Sequence, residues 1–200
     1  MAEVVESSFL SEGRFTQREF RAWLDRRPPD DPMRCELLQG RIVMSPPARA
    51  RHGRIGAILV AALERHASRL GLGPVFDGST GFELPSGDTV EPDAAFVSRE
   101  RWQAAGSPDL DGFLRVVPDL VVETISPSSR TRDTIEKRTI YAGNGVSEYW
   151  IVDPERRSIE VLSLVDGEFE RAARVSSGAV ASRRLPGLDL RAEDVFAEPA

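Results

Sequence analysis

In Glu91-Pro92-Asp93 and Val121-Val122-Glu123 a carboxylate borders or enters an apolar run, and a lysine, Lys137, follows the second stretch. Two carboxylates and one amine are the minimum for holding a divalent cation and cutting a phosphodiester. Hard cations such as magnesium take oxygen ligands and keep several waters. A nearby ammonium can hold an attacking hydroxide and stabilise charge building on the phosphoryl oxygens. Neighbouring strands lie about 5 Å apart, so Asp93 and Glu123 at matched heights would share one cation.

Each residue also has a blander role open to it. Asp93 would serve equally well as a turn cap after Pro92. Glu123 lies inside Leu120-Val121-Val122-Glu123-Thr124-Ile125, where burial without a partner costs several kcal/mol, so a positive group must face it. Lys137 is the candidate, on a helix side shared with Thr134 and Tyr141. Its alternative is a surface ion pair with Asp133 at i,i+4, worth a few tenths of a kcal/mol. It is also the single lysine among 26 basic residues.

Glu36 is a third acidic candidate or a solvated strand end. His52 opens a long helix, at the mouth of a site or as an ordinary helix-start residue, and His66 falls on an apolar stripe and reads as core. Asp119, in a second Pro-Asp pair, rivals Asp93 but lies about 13 Å along the strand from Glu123, too far to share a metal.

The elements that must position these groups follow from pattern. Thr16 and Glu19 form a capping box for a helix reaching Leu24, with Phe20, Trp23 and Leu24 on one face. Gln39-Gly40 joins strands at Glu36-Leu37-Leu38 and Arg41-Ile42-Val43-Met44. His52 to Leu70 carries apolar residues at helical steps and stops at Gly71. Short strands follow at 75–77, 81–84 and 94–97, with a helical turn at 100–105. The most apolar strand, 119–125, is expected to be central, before a helix at 131–142 and a strand at 148–152. A hairpin turns at Asp166-Gly167, and a short helix at 192–196 ends the chain. The order predicts an α+β (α/β) architecture with a mixed β-sheet flanked by helices. Residues 1–14 read as an N-terminal arm and 15–200 as a single domain.

Composition bounds the rest. The chain of 200 residues is 40% hydrophobic and 29% charged, which fits a globular protein. No apolar run is long enough to span a bilayer, Met1 to Glu6 lacks secretory-signal features, and Cys35 is the only cysteine. A disulfide framework and a cysteine-rich zinc site are thereby excluded, and a cytoplasmic location without membrane contact is expected. The net charge of −6 argues against tight nonspecific DNA binding. Arginines cluster nonetheless at Arg49, Arg51 and Arg54, and again at Arg130, Arg132 and Arg138 beside Lys137. No phosphate-binding glycine loop, dinucleotide fingerprint or nucleophile elbow is present.

Taken in order, several stretches resemble the Uma-two family of restriction-endonuclease-like proteins, within the PD-(D/E)XK nuclease superfamily. They are Glu36 through Pro46, Pro92-Asp93, Val121 through Pro127, Lys137, Tyr141 and Gly145 through Asp153. The resemblance covers most of the chain and implies a restriction-endonuclease-like fold with a magnesium-dependent phosphodiesterase site. It implies Asp93 and Glu123 as metal ligands, Glu36 as an acidic helper and Lys137 as the catalytic lysine. The superfamily pattern places lysine two residues after the strand glutamate, where this chain has Ile125. The family carries it at the position of Lys137, from which a long side chain reaches back over the strand.

The expected function is a metal-dependent endonuclease acting on nucleic acid, DNA first, using Mg2+ or Mn2+. A homodimer is expected because cutting two strands needs two sites. The alternative is a noncatalytic nuclease-fold module that binds nucleic acid or protein. A two-carboxylate glycosidase built on Asp93 and Glu123 ranks last, since 3 tryptophans and 2 tyrosines leave little for sugar stacking and Lys137 would have no role.

Overall fold

The computed structural model describes residues 9–28, 30–106 and 108–198; the acidic segment Met1 to Glu6 and most of the expected arm lie outside them. Among the described residues the chain forms two sheets and five α-helices. The smaller sheet has strand order β1-β3-β2-β6-β5, with β1 at Phe9–Leu10, β2 at Arg34–Leu38, β3 at Arg41–Ser45, β5 at Phe82–Glu83 and β6 at Thr89–Val90. The larger runs β11-β10-β9-β8-β7-β4, with β4 at Val75–Asp77, β7 at Ala94–Phe96, β8 at Leu120–Thr124, β9 at Glu148–Asp153, β10 at Ser158–Val165 and β11 at Glu168–Val175. It is mixed: β8 and β9 run parallel and the other pairs antiparallel. The expected mixed sheet and central 119–125 strand are therefore present, joined by a second, antiparallel sheet that the pattern did not reveal.

Local chemistry accounts for the boundaries. Helix α1, Gln17–Leu24, starts at Thr16 with both halves of the Glu19 capping box formed. The β2–β3 turn puts Gln39 at φ 49° and Gly40 at φ 80°, the left-handed pair that matches strand twist. Helix α2, Ala50–Leu70, ends at Gly71 with φ 60°. Helix α3 covers Arg99–Ala104 and the terminal α5 covers Ala192–Val195.

The parallel β8–β9 pair needs a crossover connection. Here it is a π-helical segment, Arg132–Lys137, running into helix α4, Arg138–Gly143. The widened turns occur where Asp133 and Lys137 are both buried, and such turns recur at functional sites.

Strand alternation separates two cores. Leu120 and Val122 of β8 pack with Ala94 and Phe96 against Leu59 and Leu63 of α2. Val121 and Ala95, on the other face, meet Leu38, Phe82 and Val90 of the smaller sheet and Ile140 and Tyr141 of α4. Each fully buried leucine or phenylalanine contributes about 1.5–3 kcal/mol, so both faces of β8 are firmly held. Among the described residues no helix is long and apolar enough to cross a membrane.

Candidate active site

The β7–β8 ladder places the acids. Ala94 pairs with Val122 and Ala95 with Val121, so one step further Asp93 stands across from Glu123. The Thr124 N–H donates to Asp93 Oδ2 at 2.7 Å. Glu123 extends from the β8 face shared with Val121, toward the smaller sheet and α4.

Three elements then close around this pair. Lys137 Nζ donates to Glu123 Oε1 at 2.8 Å and lies 2.7 Å from Glu36 Oε1. Tyr141, one helical turn on, donates to the same Glu123 oxygen at 2.6 Å. Glu36 also accepts from the Glu91 N–H at 2.8 Å, which ties the smaller sheet to the segment entering β7. Arg34 Nη1 donates to Asp93 Oδ1 at 3.0 Å, and His52 Nε2 stands 2.9 Å from Asp93 Oδ2. The lysine is 2% exposed and Glu36, Asp93 and Glu123 are 6%, 7% and 4% exposed. The surface Asp133–Lys137 pair open from sequence is overturned, because both residues are buried.

The structure thus gathers Glu36, Asp93, Glu123 and Lys137 around one pocket of about 250 Å³, with Arg49, Arg51 and Arg132 among its lining residues. His52 belongs to it as well. Asp119 does not: it accepts from the Ser98 N–H at 2.7 Å and pairs with Arg101 of α3 and with Arg184, tying the start of α3 to the segment before α5. His66 is core, with Nε2 3.1 Å from the Pro186 carbonyl oxygen. Ile125, where the superfamily pattern expects lysine, is buried in the core beside Val121.

The second basic cluster does not form a surface patch. Lys137 is internal, Arg138 donates to the Phe169 carbonyl, and Arg130 pairs with Asp153 and Glu155. Sequence reasoning gave Arg34 and Glu91 no role in the site and weighed Asp133 only as a surface partner of Lys137. Alternation was the available signal for Arg34, which shares a β2 face with Glu36, and Glu91 lies two residues before Asp93 in the segment between β6 and β7.

Electrostatics follow from acids outnumbering bases among buried groups. Burial opposes the charge on Lys137, yet Glu123, Glu36 and Asp133 hold it charged, above its ordinary range. Burial likewise opposes charge on Glu36, but Lys137 and Arg34 keep it ionised and its pKa lowered. Asp93 lies well below the carboxylate range because His52 and Arg34 outweigh its burial. Burial also lowers His52, and Asp93 more than reverses this. Glu123 differs: burial raises it, Lys137 pulls it down, and Asp133, Asp93 and Glu36 push it up again, to about 8. Burial and Glu36 push Glu91 to about 7.

A stability prediction follows. Glu123 and Glu91 start from an ordinary value of 4.5 and reach about 8 and about 7 in the folded chain. Between those limits the folded chain keeps protons that the unfolded chain has released, so stability falls as pH rises. The slope is at most about 1.4 kcal/mol per pH unit for each group. In the absence of divalent cations the melting temperature is expected to be lower at pH 8 than at pH 5.5, as read by circular dichroism. A flat profile would contradict the charge surplus.

Among the described residues no group of three Asp, Glu, His or Cys side chains forms a ready coordination shell. The donor chemistry nevertheless suits a hard cation. Magnesium is commonly held through one or two carboxylates with waters completing the shell, and the rise of Glu123 marks negative charge that a proton or a cation must balance.

Comparison with known proteins agrees with this architecture. The solved structure titled "putative nuclease belonging to DUF820" from Anabaena variabilis superposes with a TM-score of 0.71 at 18% identity, covering 91% of this chain and 97% of that one. That likeness concerns the fold. Among proteins of curated function none matches the chain. The Uma2 profile, described as "Putative restriction endonuclease", matches residues 18–193. The chain therefore belongs to the Uma2 family of restriction-endonuclease-like proteins.

Proposed function

We propose that the protein is a metal-dependent endonuclease that hydrolyses phosphodiester bonds in DNA, with Asp93 and Glu123 holding the cation and Lys137 acting on the attacking water. The observation that carries this reading is Lys137 Nζ lying 2.8 Å from Glu123 Oε1, on the acid that stands across from Asp93. Bound by those two carboxylates, Mg2+ or Mn2+ would neutralise phosphoryl charge and make water more acidic. The chain's own residues do the rest. Glu36 and Glu123 anchor the lysine, and an ammonium has three donors, so one N–H is left to orient water or a phosphoryl oxygen. Tyr141 fixes the Glu123 carboxylate, and the Thr124 N–H with Arg34 fixes Asp93. A second copy of the chain would supply the second cut in a duplex, in the cytoplasm.

The test is cleavage of supercoiled plasmid by purified protein with Mg2+ or Mn2+. Wild type is expected to yield nicked and linear forms, and Asp93→Asn to lose about 100-fold or more of that rate. Isothermal titration should show weaker Mn2+ binding in the variant. If wild type and Asp93→Asn are equally inert with both metals, the noncatalytic binding module becomes the better account.

A further inference from the structure

A second depression of about 200 Å³ adjoins the acid pocket, and Arg51 and Pro154 line both. Arg51, Arg54 and Arg157 surround it with Phe196 at its base, and Glu198 is the one acid among its described lining residues. In a chain of net charge −6 this is a local reversal of sign.

The three guanidinium groups are lightly engaged. Arg51 meets Glu198 at 3.4 Å with both side chains more than two-thirds in solvent, 68% and 69%. Arg54 Nε donates to the Ala197 carbonyl at a long 3.4 Å. Arg157 lies 5.9 Å from the Phe196 ring centre. Among the described residues no buried carboxylate pairs with any of them, in contrast to Arg34 on Asp93 or Arg184 on Asp119.

Two backbone features accompany these arginines. Arg157 closes the four-residue β9–β10 turn with φ 48°, a left-handed conformation in which glycine or asparagine is unstrained. Gly53 and Gly56 lie in the first turns of α2, and a Cβ at either would meet nothing within 4 Å. Glycine weakens a helix relative to alanine, and no neighbour here requires it. Gly53 is exposed, about 160° around the helix from buried Ile55, and stands between Arg51 and Arg54 in the chain. Bare backbone permits close approach of another polymer's backbone.

We propose that the Arg51–Arg54–Arg157 depression binds a backbone phosphate of the nucleic-acid strand as it leaves the acid pocket. The inference takes its ligand from the proposed nuclease activity. Guanidinium forks match phosphate oxygens in pairs, and Glu198 then competes with the strand for Arg51.

The test is fluorescence anisotropy with labelled duplex DNA and single-stranded RNA, with calcium replacing magnesium so that bound strands stay intact. Arg51→Gln with Arg54→Gln is expected to weaken binding about tenfold or more, and to reduce the slope of log Kd against log salt by about one for each arginine. Arg171→Gln, on edge strand β11, should change neither. Glu198→Gln should tighten binding, the opposite sign. Arg157→Gly should weaken binding while the melting temperature holds or rises, which excludes misfolding as the cause. Loss with both polymers or with one alone supports the site and says which strand it accepts. Variants matching wild type in Kd and slope would overturn it, as would an absence of binding to either polymer. A wild type that binds through these arginines yet leaves plasmid intact sinks the nuclease proposal and keeps the site. Cleavage with unaltered binding in the variants does the reverse.

Discussion

Replacing Lys137 by methionine is expected to abolish plasmid cleavage and to lower stability at pH 8 by about 3 kcal/mol or more. Methionine fills much the same volume, so packing changes little. What changes is charge: Glu36 and Glu123 lose the ammonium that lies 2.7 and 2.8 Å from them, and removing one partner of a buried pair leaves the others without compensation. Acids so stranded take up protons, so the deficit should shrink at pH 6. Urea denaturation at the two pH values reads this directly. Wild-type stability at pH 8 would show that the lysine is not the partner holding these acids, and retained cleavage would remove it from the chemistry.

Glu123→Gln should separate activity from stability in the other direction. The amide has the shape of the acid and its oxygen can still accept from Lys137 and Tyr141, which both reach Oε1 in the native chain. It removes a charge that burial and the surrounding Asp133, Asp93 and Glu36 disfavour. At pH 8 the variant is expected to be as stable as wild type or about 1 kcal/mol more stable, with a flatter pH profile. Cleavage should fall at least about 100-fold, because a neutral amide is a poor partner for a hard cation. Native metal-dependent cleavage, or a collapse of stability at pH 8, would refute the assignment. The two variants bracket the site: one removes its central cation, the other its most strained acid.

Much of this was legible before any coordinates. Short-range chemistry declares itself locally, as in the Thr16–Glu19 capping box, the Gln39-Gly40 and Asp166-Gly167 turns and the Gly71 stop. A glutamate embedded in Leu120 to Ile125 demanded a positive partner, and the matched strands bring Asp93 opposite it. Long-range convergence was harder to read. Glu36 meets a lysine a hundred positions later because two sheets stack, and the smaller sheet is built partly from two-residue strands, too short for alternation to register. The widened turns at Arg132–Lys137 have no compositional marker, and they position a helix face that regular spacing places only approximately. Asp119 shows the converse. It carries the same Pro-Asp pairing as Asp93, but its neighbours are a helix arginine, a loop arginine and a backbone amide, so its work is mechanical.

Glu36 comes from the smaller sheet, whereas Glu123 and Lys137 come from the larger sheet and its crossover. The pocket is therefore a seam, and its chemistry reports how tightly the two layers are seated. A slip of either layer by about 1 Å would carry the Lys137–Glu36 contact beyond hydrogen-bond reach while every strand stays paired. Heat or denaturant should silence the protein first and melt it afterwards.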